Sequence, residues 1–496
     1  MPSVLALDQG TTGSTALLIG DDGQVRGRGY REITQHYPEP GWVEHDPEEI
    51  WATTCAAAAE ALAGVRPDAI GITNQRETVV AWERGTGRPV HRALVWQDRR
   101  TAARCRDLRV AHGAADLVRR TGLVWDPYFS ATKIEWLLRE VPGLRARAER
   151  GEVVFGTIDT WLAFRLSGGG AFVTDHTNAS RTLLYGLGAR DWDEELLRLF
   201  GVPRAALPAI VPSSGVFAET VAVGPFVAGI PIGGMAGDQQ AALFGQGCHV
   251  PGEAKNTYGT GAFLLMLVGD RLPPADGRVL TTMACDARGK PALAVEGAIF
   301  VAGAAIQWLR DGLGLVASAG ESEALARSVP DTGGVVFVPA LVGLGAPHWE
   351  PEARGMIVGL TRGTTRAHLV RAALEAMAYG TRDVVEAMTG ATGVPLRSLR
   401  VDGGAAANDW LMDFLATVLG VPVLRPDLVE STALGAAGLA GLATGVWPDA
   451  AAFVATRTHR RFESVPALGH GAAVGHREWR RAVRATLRWA ADGVLQ

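Results

Sequence analysis

Residues 4–15 read VLALDQGTTGST, an apolar run that ends in an acidic residue and a turn rich in glycine and threonine. Three other stretches set an apolar run beside a similar turn: IPIGGMAGDQQ (230–240), NTYGTGAFLLM (256–266) and LRVDGGAAAND (399–409). Each predicts a buried strand next to a Gly, Thr or Asp turn, and several continue into helical sequence. This pattern is typical of an α/β fold, in which ligands bind where strands end.

Helical segments separate these strands. The sequence DPEE at 46–49 predicts a helix start, with an Asp cap, a Pro in the first turn and two acids. Apolar residues recur at helical spacing over 367–388 and over 407–419. We also predict a helix over 298–309.

The chain is 496 residues long, beyond the length at which a single core usually stops growing. Near 245–252 the sequence QGCHVPGE separates a helical run from a new strand. We therefore expect two domains, 1–247 and 248–496, with a cleft between them.

Composition excludes several classes of protein. Hydrophobic residues make up 47% and charged residues 20% of the chain, which predicts a globular protein. A net charge of -4 gives no basic footprint for nucleic acid or an anionic membrane. The start of the chain does not resemble a secretory signal. The uncharged stretches elsewhere in the chain are broken by Gly or Pro, which argues against membrane-spanning helices. We expect no membrane insertion and a cytoplasmic location.

The positions of the cysteines and lysines exclude further kinds of site. The four cysteines are scattered without a CxxC pair, which favours reduced thiols over a zinc site or a disulfide framework. The three lysines are Lys133, Lys255 and Lys290, and none of them completes a GxxxxGK[ST] motif. Any phosphate binding must therefore use a different loop.

The turn after Asp8 is the first candidate site. Its backbone N–H groups and the hydroxyls of Thr11 and Thr12 could bind a phosphate, and Asp8 could hold Mg²⁺ directly or through water. A second Gly/Thr turn, which includes Thr260, lies in the other half. Two such turns suggest a nucleotide held from both sides, although either one alone could be an ordinary hairpin turn.

Two polar motifs follow strands in the first half. Asp238 could accept a proton from a substrate hydroxyl as that hydroxyl attacks phosphorus, or it could only cap a helix. Arg76 and Glu77 are suited to bind a polyol through several hydrogen bonds, or they could be a surface pair on a loop.

Candidate nucleotide contacts lie in the second half. Gly303 and Gln307 share one face of the predicted helix. Because glycine within a helix is destabilising, its presence suggests that a ring or another helix approaches closely at this position. Gly404, in a Gly-Gly pair before Asn408, offers a second backbone approach. Helix packing explains these positions as well as adenosine binding does. Three aromatic residues beside strand ends could be core or ligand contacts: Trp96, Tyr128 and Phe263.

Together these motifs resemble the FGGY carbohydrate kinase family and, within it, the members that act on glycerol. The resemblance runs from residue 4 to about residue 447. It rests on LDQGTT (7–12), PGWVEHDP (40–47), ITNQRET (72–78), VWQ (95–97), DPYFS (126–130), FGTIDTWL (155–162), TDHTNASRT (174–182), AGDQQAALFGQ (236–246), AKNTYGTG (254–261), AGAAIQWLRD (302–311), GLGAPHW (343–349), RVDGGAAAN (400–408) and TALGAAGLAGLA (432–443).

The resemblance implies a two-domain ribonuclease-H-like fold of the actin/hexokinase ATPase type, with the catalytic cleft between the domains. It implies transfer of the γ-phosphoryl group of ATP to glycerol with Mg²⁺, in glycerol uptake and catabolism, by a homodimer or homotetramer. Asp238 would be the general base, and Asp8 would organise Mg²⁺. Glycerol would contact Arg76, Glu77, Trp96, Tyr128, Asp238, Gln239 and Phe263, and the nucleotide would contact Thr11, Thr12, Gly13, Thr260, Gly303, Gln307, Gly404 and Asn408.

The chain departs from the family pattern in the loop at 223–230, which lacks two regulatory features found in some bacterial members, and at one position near the expected phosphate site. Four residues after Thr11 the family usually has a basic residue near the phosphates, and here this residue is Thr15. Two alternatives stay open: a kinase of the same family for another polyol or a ketose, and a nucleotide-binding regulator with weak catalysis, for which Thr15 is the only sequence feature.

Overall fold

The computed structural model describes residues 1–274, 277–427 and 430–493. The strands are β1 (Ser3–Gln9), β2 (Gly13–Gly20), β3 (Val25–Glu32), β4 (Glu44–His45), β5 (Ala69–Asn74), β6 (Val80–Glu83), β7 (Ala93–Leu94), β8 (Val153–Gly156), β9 (Val173–Asp175), β10 (Tyr185–Gly186), β11 (Asp191–Trp192), β12 (Ala209–Val211), β13 (Ser214–Glu219), β14 (Pro231–Gly237), β15 (Glu253–Tyr258), β16 (Ala262–Gly269), β17 (Leu280–Cys285), β18 (Pro291–Ile299), β19 (Val336–Val338), β20 (Met356–Val358), β21 (Ser398–Asp402), β22 (Val423–Pro426) and β23 (His459–Phe462). The α-helices are α1 (Pro47–Leu62), α2 (Ala102–His112), α3 (Ala115–Thr121), α4 (Ala131–Glu140), α5 (Leu144–Glu149), α6 (Ile158–Leu166), α7 (His176–Ala179), α8 (Glu194–Phe200), α9 (Asp238–Gly245), α10 (Gly303–Asp311), α11 (Glu321–Arg327), α12 (Arg366–Thr392), α13 (Asp409–Leu419), α14 (Ser431–Thr444), α15 (Ala450–Ala455) and α16 (Pro466–Gly493). Within these ranges no helix combines the length and the hydropathy needed to cross a bilayer.

Two larger sheets form the frame of the molecule. The first has the strand order β13-β14-β5-β1-β2-β3, and the second has the order β17-β18-β16-β15-β21-β22-β23. In the first sheet β1 pairs antiparallel with β2 and parallel with β5. In the second sheet β15 pairs antiparallel with β16 and parallel with β21. Each sheet is therefore built around the same unit: a β-hairpin whose first strand also pairs in parallel with a later strand of the chain.

The two Gly/Thr turns occupy equivalent places in this frame. Residues 10–12 connect β1 to β2, where Gly10 N donates to the carbonyl of Gly13 at 2.9 Å. Residues 259–261 connect β15 to β16, where Gly259 N donates to the carbonyl of Gly261 at 2.8 Å. Each sheet thus contributes one such turn.

Local sequence explains several of these elements. The apolar residues 4–7 of β1 are fully buried, so this strand lies in the core. The predicted helix start at Asp46 is confirmed, because its side chain accepts from the backbone N–H of Glu48. The predicted helices over 367–388 and 407–419 are also found, as α12 and as α13, which begins after the capping residue Asn408.

Helix α14 comes from the second half of the chain but packs against the first sheet. A Cβ on Gly71 of β5 would lie 2.1 Å from the carbonyl oxygen of Ala436, and one on Gly435 would lie 1.8 Å from that of Ala241. Glycine at these two positions lets the backbones approach without a side chain between them. This packing holds α14 beside the end of β14, where the polar residues of the site begin.

The predicted helix over 298–309 is wrong at its start. Residues 298–299 belong to β18, which pairs with both β16 and β17, and α10 begins only at Gly303. Pairing of Ala298 and Ile299 with β16 outweighs the helical spacing at these residues. Gly303 is therefore the first residue of a helix and not a residue within one.

Candidate active site

Asp8 lies near the end of β1, half-buried beside the first hairpin turn. Burial, together with repulsion from the carboxylate of Asp238, raises the pKa of Asp8 to about 7. The fold thus brings these two carboxylates close together from distant parts of the chain. Among the described residues no group of three or more His, Cys, Asp or Glu could hold a metal ion. A Mg²⁺ ion at this pair would therefore need phosphate oxygens and water as further ligands, which is how Mg²⁺ usually binds beside nucleotides.

Polar side chains that the sequence analysis did not identify hold the turn after Asp8. Gln35 Nε2 donates to the carbonyl of Thr11 at 2.7 Å, and Gln75 Nε2 donates to the carbonyl of Gly10 at 3.2 Å. His45 lies between the two glutamines, with Nε2 2.8 Å from Gln35 Oε1 and Nδ1 3.3 Å from Gln75 Nε2. The only signal for His45 was its place in the PGWVEHDP motif.

The three candidate residues of this turn differ in their surroundings. The hydroxyl of Thr11 accepts a hydrogen bond from Trp96 Nε1 at 2.9 Å, while Thr12 is exposed. Gly13 is buried, and a Cβ there would lie 2.6 Å from the carbonyl oxygen of Arg31. The close packing of residue 13 against β3 is therefore enough to require glycine there, whether or not a ligand binds at this turn.

Arg76 follows β5 and lies at the centre of a buried polar cluster. Its Nε is 3.3 Å from Asp238 Oδ1 and 3.8 Å from Glu77 Oε1, and its Nη2 donates to the hydroxyl of Tyr128 at 3.3 Å. The side chains of Arg76 and Glu77 are 3% and 1% exposed, whereas that of Asp238 is 33% exposed. Arg76 and Glu77 are therefore not a surface pair, and the carboxylate of Asp238 is the most exposed of these three charged groups.

Asp238 is the first residue of α9, and its Oδ1 accepts from the backbone N–H of Gln239 at 2.6 Å. This bond is local to the start of the helix. The same carboxylate also faces Arg76 and Asp8, so helix capping alone does not account for its position. Gln239 points toward the second sheet, where its Oε1 accepts from Lys255 Nζ.

The aromatic candidates come from both halves of the chain. The rings of Trp96 and Tyr128 meet edge to face, with centroids 5.6 Å apart. Phe263 lies near the start of β16, and its side chain is half-buried. Trp96 and Tyr128 thus contact each other, whereas Phe263 lies on a strand from the second half of the chain.

Three charged residues that the sequence analysis missed complete the cluster. Arg181 Nε lies 2.6 Å from Glu77 Oε1, and Arg76 Nη1 lies 2.8 Å from Glu296 Oε2. Burial lowers the pKa of Lys255, whose Nζ also donates to Thr257 Oγ1 at 2.8 Å. Arg181 and Lys255 fall inside quoted motifs, but Glu296 lies in none of them.

The second hairpin turn packs against the start of α10. Gly303 N donates to the carbonyl of Gly259 at 3.0 Å, and a Cβ on Gly303 would lie 2.6 Å from that oxygen. The carbonyl of Thr260 accepts from the backbone N–H groups of Ala302 and Ala304 at 2.8 and 3.1 Å. The close approach predicted at Gly303 is therefore an approach to this turn.

The other nucleotide candidates lie on neighbouring elements. Gln307 and Gly404 are exposed, as is the Thr260 residue of the turn. Asn408 caps α13 by accepting from the backbone N–H of Leu411 at 2.9 Å, and its Nδ2 donates to Ser322 Oγ at 3.3 Å. Gly303 and Asn408 thus have structural contacts of their own, whereas Thr260, Gln307 and Gly404 are exposed.

Comparison with known proteins agrees with this arrangement. Residues 3–245 match the N-terminal domain, and residues 254–444 the C-terminal domain, of the FGGY family of carbohydrate kinases. The chain is 56% identical to a glycerol kinase from Carboxydothermus hydrogenoformans over 497 residues, which covers 99% of each chain. It is 34% identical to a glycerol kinase from Plasmodium falciparum solved with ADP, with a TM-score of 0.93 and 98% of each chain covered.

A xylulose kinase from Rhodospirillum rubrum is 24% identical, with a TM-score of 0.88 over 99% of this chain and 100% of that chain, a likeness that shows the fold alone. The two-domain α/β fold of the actin/hexokinase ATPase type is thus confirmed. Both family domains match, in order, on a frame whose two sheets each supply a Gly/Thr turn. This chain belongs to the FGGY family of carbohydrate kinases.

Proposed function

We propose that this chain transfers the γ-phosphoryl group of ATP to a terminal hydroxyl of glycerol, giving sn-glycerol 3-phosphate and ADP, in glycerol uptake and catabolism. The observation that carries the proposal is the buried cluster around Arg76, whose polar groups converge on the partly exposed carboxylate of Asp238. The high identity to glycerol kinases over nearly the full chain supports the same reaction.

The cluster suits a small polyol. Guanidinium, carboxylate, phenol and amide groups can together donate to and accept from three neighbouring hydroxyls. Aromatic rings suit the carbon chain. In this proposal the hydroxyls bond to Arg76, Glu77, Tyr128, Asp238 and Gln239, and the carbon chain lies against Trp96 and Phe263.

The two hairpin turns suit a nucleotide held between the sheets. Backbone N–H groups in a Gly/Thr turn form a concave site for phosphate oxygens. We assign the phosphates to Thr11, Thr12 and Gly13 of the first turn. The rest of the nucleotide is assigned to Thr260, Gly303, Gln307, Gly404 and Asn408, all from the second half.

The carboxylates of Asp8 and Asp238 fit Mg²⁺ delivered with ATP. Burial, and to a smaller extent the charge of Asp238, raises the pKa of Asp8 to about 7, so a cation bound here would reduce the repulsion between the two carboxylates. Asp8 would hold the metal, directly or through water. Bound there, Mg²⁺ would neutralise charge on the β- and γ-phosphates.

The chemistry needs little beyond positioning. The glycerol hydroxyl oxygen forms a bond to the γ-phosphorus while the bond from that phosphorus to the oxygen shared with the β-phosphate breaks, which releases ADP. Asp238 accepts the hydroxyl proton. Arg76, 3.3 Å from Asp238, holds that carboxylate toward the substrate. Enclosure of the reactants between the two halves would keep water from acting as the acceptor.

We also propose the remaining features of the enzyme. Residues 1–247 would form the glycerol and Mg-phosphate domain and residues 248–496 the nucleotide domain, with α14 of the second range packed back against the first sheet. Assembly as a homodimer or homotetramer is the common state in this family. A cytoplasmic location follows from the use of ATP as the phosphoryl donor.

Coupled measurement of ADP release tests the reaction. Purified enzyme with MgATP is supplied with glycerol, dihydroxyacetone, xylulose, ribulose or gluconate, and a reaction without acceptor gives the background hydrolysis of ATP. We expect turnover with glycerol well above that with each other compound.

The other outcomes decide between the alternatives. Turnover with a ketose or gluconate in place of glycerol would keep the fold and mechanism but reassign the substrate. ATP binding without turnover on any compound would favour a nucleotide-binding regulator, for which Thr15 is the specific sequence feature.

A further inference from the structure

Glu296 joins the two halves of the molecule at the candidate glycerol site. It lies on β18 of the second sheet and is 2% exposed, whereas its partners come from the first half. Its carboxylate receives Arg76 in a fork, with Nη1 to Oε2 at 2.8 Å and Nη2 to Oε1 at 3.3 Å. A two-pronged contact of this kind fixes the plane of a guanidinium as well as its distance.

The same carboxylate also contacts a second buried guanidinium. Arg181 is fully buried, its Nη1 lies 3.4 Å from Glu296 Oε2, and its Nε lies 2.6 Å from Glu77 Oε1. Glu296 therefore contacts Arg76 directly and reaches Glu77 through Arg181. The two candidate glycerol ligands depend on one side chain from the other sheet.

Glu296 carries a full negative charge in this setting. Burial would raise its pKa, but the guanidiniums of Arg181 and Arg76 outweigh burial and lower the pKa to about 2. Without that charge, Arg76 and Arg181 would have only Glu77 and Asp238 as nearby counter-charges. Buried guanidiniums would then be drawn toward the groups that should bind the substrate.

We propose that Glu296 is a positioning residue for glycerol, which orients Arg76 directly and Glu77 through Arg181, so that the second half of the chain completes the glycerol site. The inference rests on the proposed function. It predicts that Glu296 acts on glycerol affinity and not on nucleotide affinity, because its described contacts are with the glycerol side of the site.

Steady-state kinetics of the full-length Glu296→Gln variant test this role. The amide keeps the shape of the side chain but removes the charge. We expect KM for glycerol to rise by about tenfold to a hundredfold, as for loss of a charge-assisted hydrogen bond, with KM for MgATP changed by less than about twofold. Equal changes in both constants, or an unchanged KM for glycerol, would overturn the proposal.

Glu375→Gln is the matched control. Glu375 is also a buried glutamate paired with an arginine, with Arg371 Nε 3.0 Å from its Oε1, but both residues lie within α12 and outside the cluster. Its loss removes a buried ion pair and should lower the unfolding temperature without changing KM for glycerol. A similar rise in KM for both variants would mean that general destabilisation, and not positioning, is the cause.

Glu296→Asp keeps the test decisive if the glutamine variant does not fold. The shorter carboxylate retains the charge but cannot reach both guanidiniums in the same geometry. We expect a smaller rise in KM for glycerol and a smaller glycerol-induced increase in unfolding temperature than in the wild type, and unchanged values would overturn the proposal. If the wild type itself does not phosphorylate glycerol, the proposed function has failed, and this outcome is seen before any variant is compared.

Discussion

Asp238 is the single residue on which the proposed chemistry depends most. Its carboxylate is partly exposed beside Arg76 and Asp8, where a substrate hydroxyl could transfer a proton to it. Asp238→Asn should lower kcat by about 100- to 10,000-fold, the range for loss of a general base. Glycerol binding should remain detectable by a glycerol-induced shift in unfolding temperature.

Asp449→Asn is a suitable control, because this aspartate only caps α15 by accepting from the backbone N–H of Ala452. It should leave kcat unchanged, since asparagine also caps helices well. Near-normal turnover in the Asp238→Asn variant would remove Asp238 as the base.

Thr15 is the residue near the expected phosphate site that the sequence analysis marks as a departure from the family pattern. It lies directly opposite Asp8 in the β1–β2 pair, so the two side chains share one face of the sheet. Thr15→Arg should place a positive charge beside the first hairpin turn (residues 10–12, the phosphate turn of our proposal) and lower KM for MgATP by about tenfold. Thr15→Gln controls for side-chain length, and the same change in both variants would contradict a role for charge.

Residues near strand ends could be predicted, whereas their buried partners could not. Arg76, Glu77 and Asp238 follow apolar runs that predict strands, and the structure brings them together. Glu296 contacts Arg76 across 220 positions of sequence, within a strand whose local pattern marks it as core. Such pairing depends on how the two sheets face each other, which a single sequence does not contain.

At the level of elements, the Gly/Thr turns and the starts of three of the four predicted helices followed from local chemistry. The start of α10 did not, because pairing with β16 extends β18 through Ile299. The corrected start explains Gly303 by its approach to the Gly259 carbonyl. Because the second hairpin turn contacts the first residue of α10 here, we expect the turn and the helix start to act as one unit in nucleotide binding.

Gly303→Ala tests this unit. Its Cβ would lie 2.6 Å from the Gly259 oxygen and should separate α10 from the turn. We expect a loss of about 1–3 kcal/mol in the free energy of unfolding, as for overpacking, and a several-fold rise in KM for MgATP with KM for glycerol unchanged. Gly469→Ala, where a Cβ meets nothing within 4 Å, should change neither constant. An equal rise in both KM values would contradict a role confined to the nucleotide.

At the level of the whole molecule, the repeated hairpin unit of the two sheets was the most predictable feature. Each half carries its own strand-and-turn signature, so an α/β frame with two sheets follows from local sequence. The packing of α14 on the first sheet was not predictable, since its Ala- and Gly-rich sequence fits any close helix contact. Sequence thus indicates which elements form, and tertiary packing decides which sheet each one joins.

Stability of the whole molecule should fall in mild acid because His45 is buried in its neutral form. Burial, with a smaller effect of His36, lowers the pKa of His45 to about 4. Its Nδ1 faces the amide nitrogen of Gln75, and a proton there would set two donors against each other. The unfolded chain takes up this proton near pH 6.5, so stability is full above that pH and is lost as the pH falls toward 4.

His45→Gln should reduce this loss. Between about pH 7.5 and about pH 5, the free energy of unfolding of the variant should fall by about 2 kcal/mol less than that of the wild type. Denaturant unfolding at the two pH values measures the difference, and other titrating groups cancel in the comparison. The exposed His470, changed to Gln, should behave like the wild type. If the His45 variant loses as much stability in acid as the wild type, then His45 does not resist protonation in the folded state, and its hydrogen bonds to the glutamines beside the phosphate turn must tolerate a second ring proton.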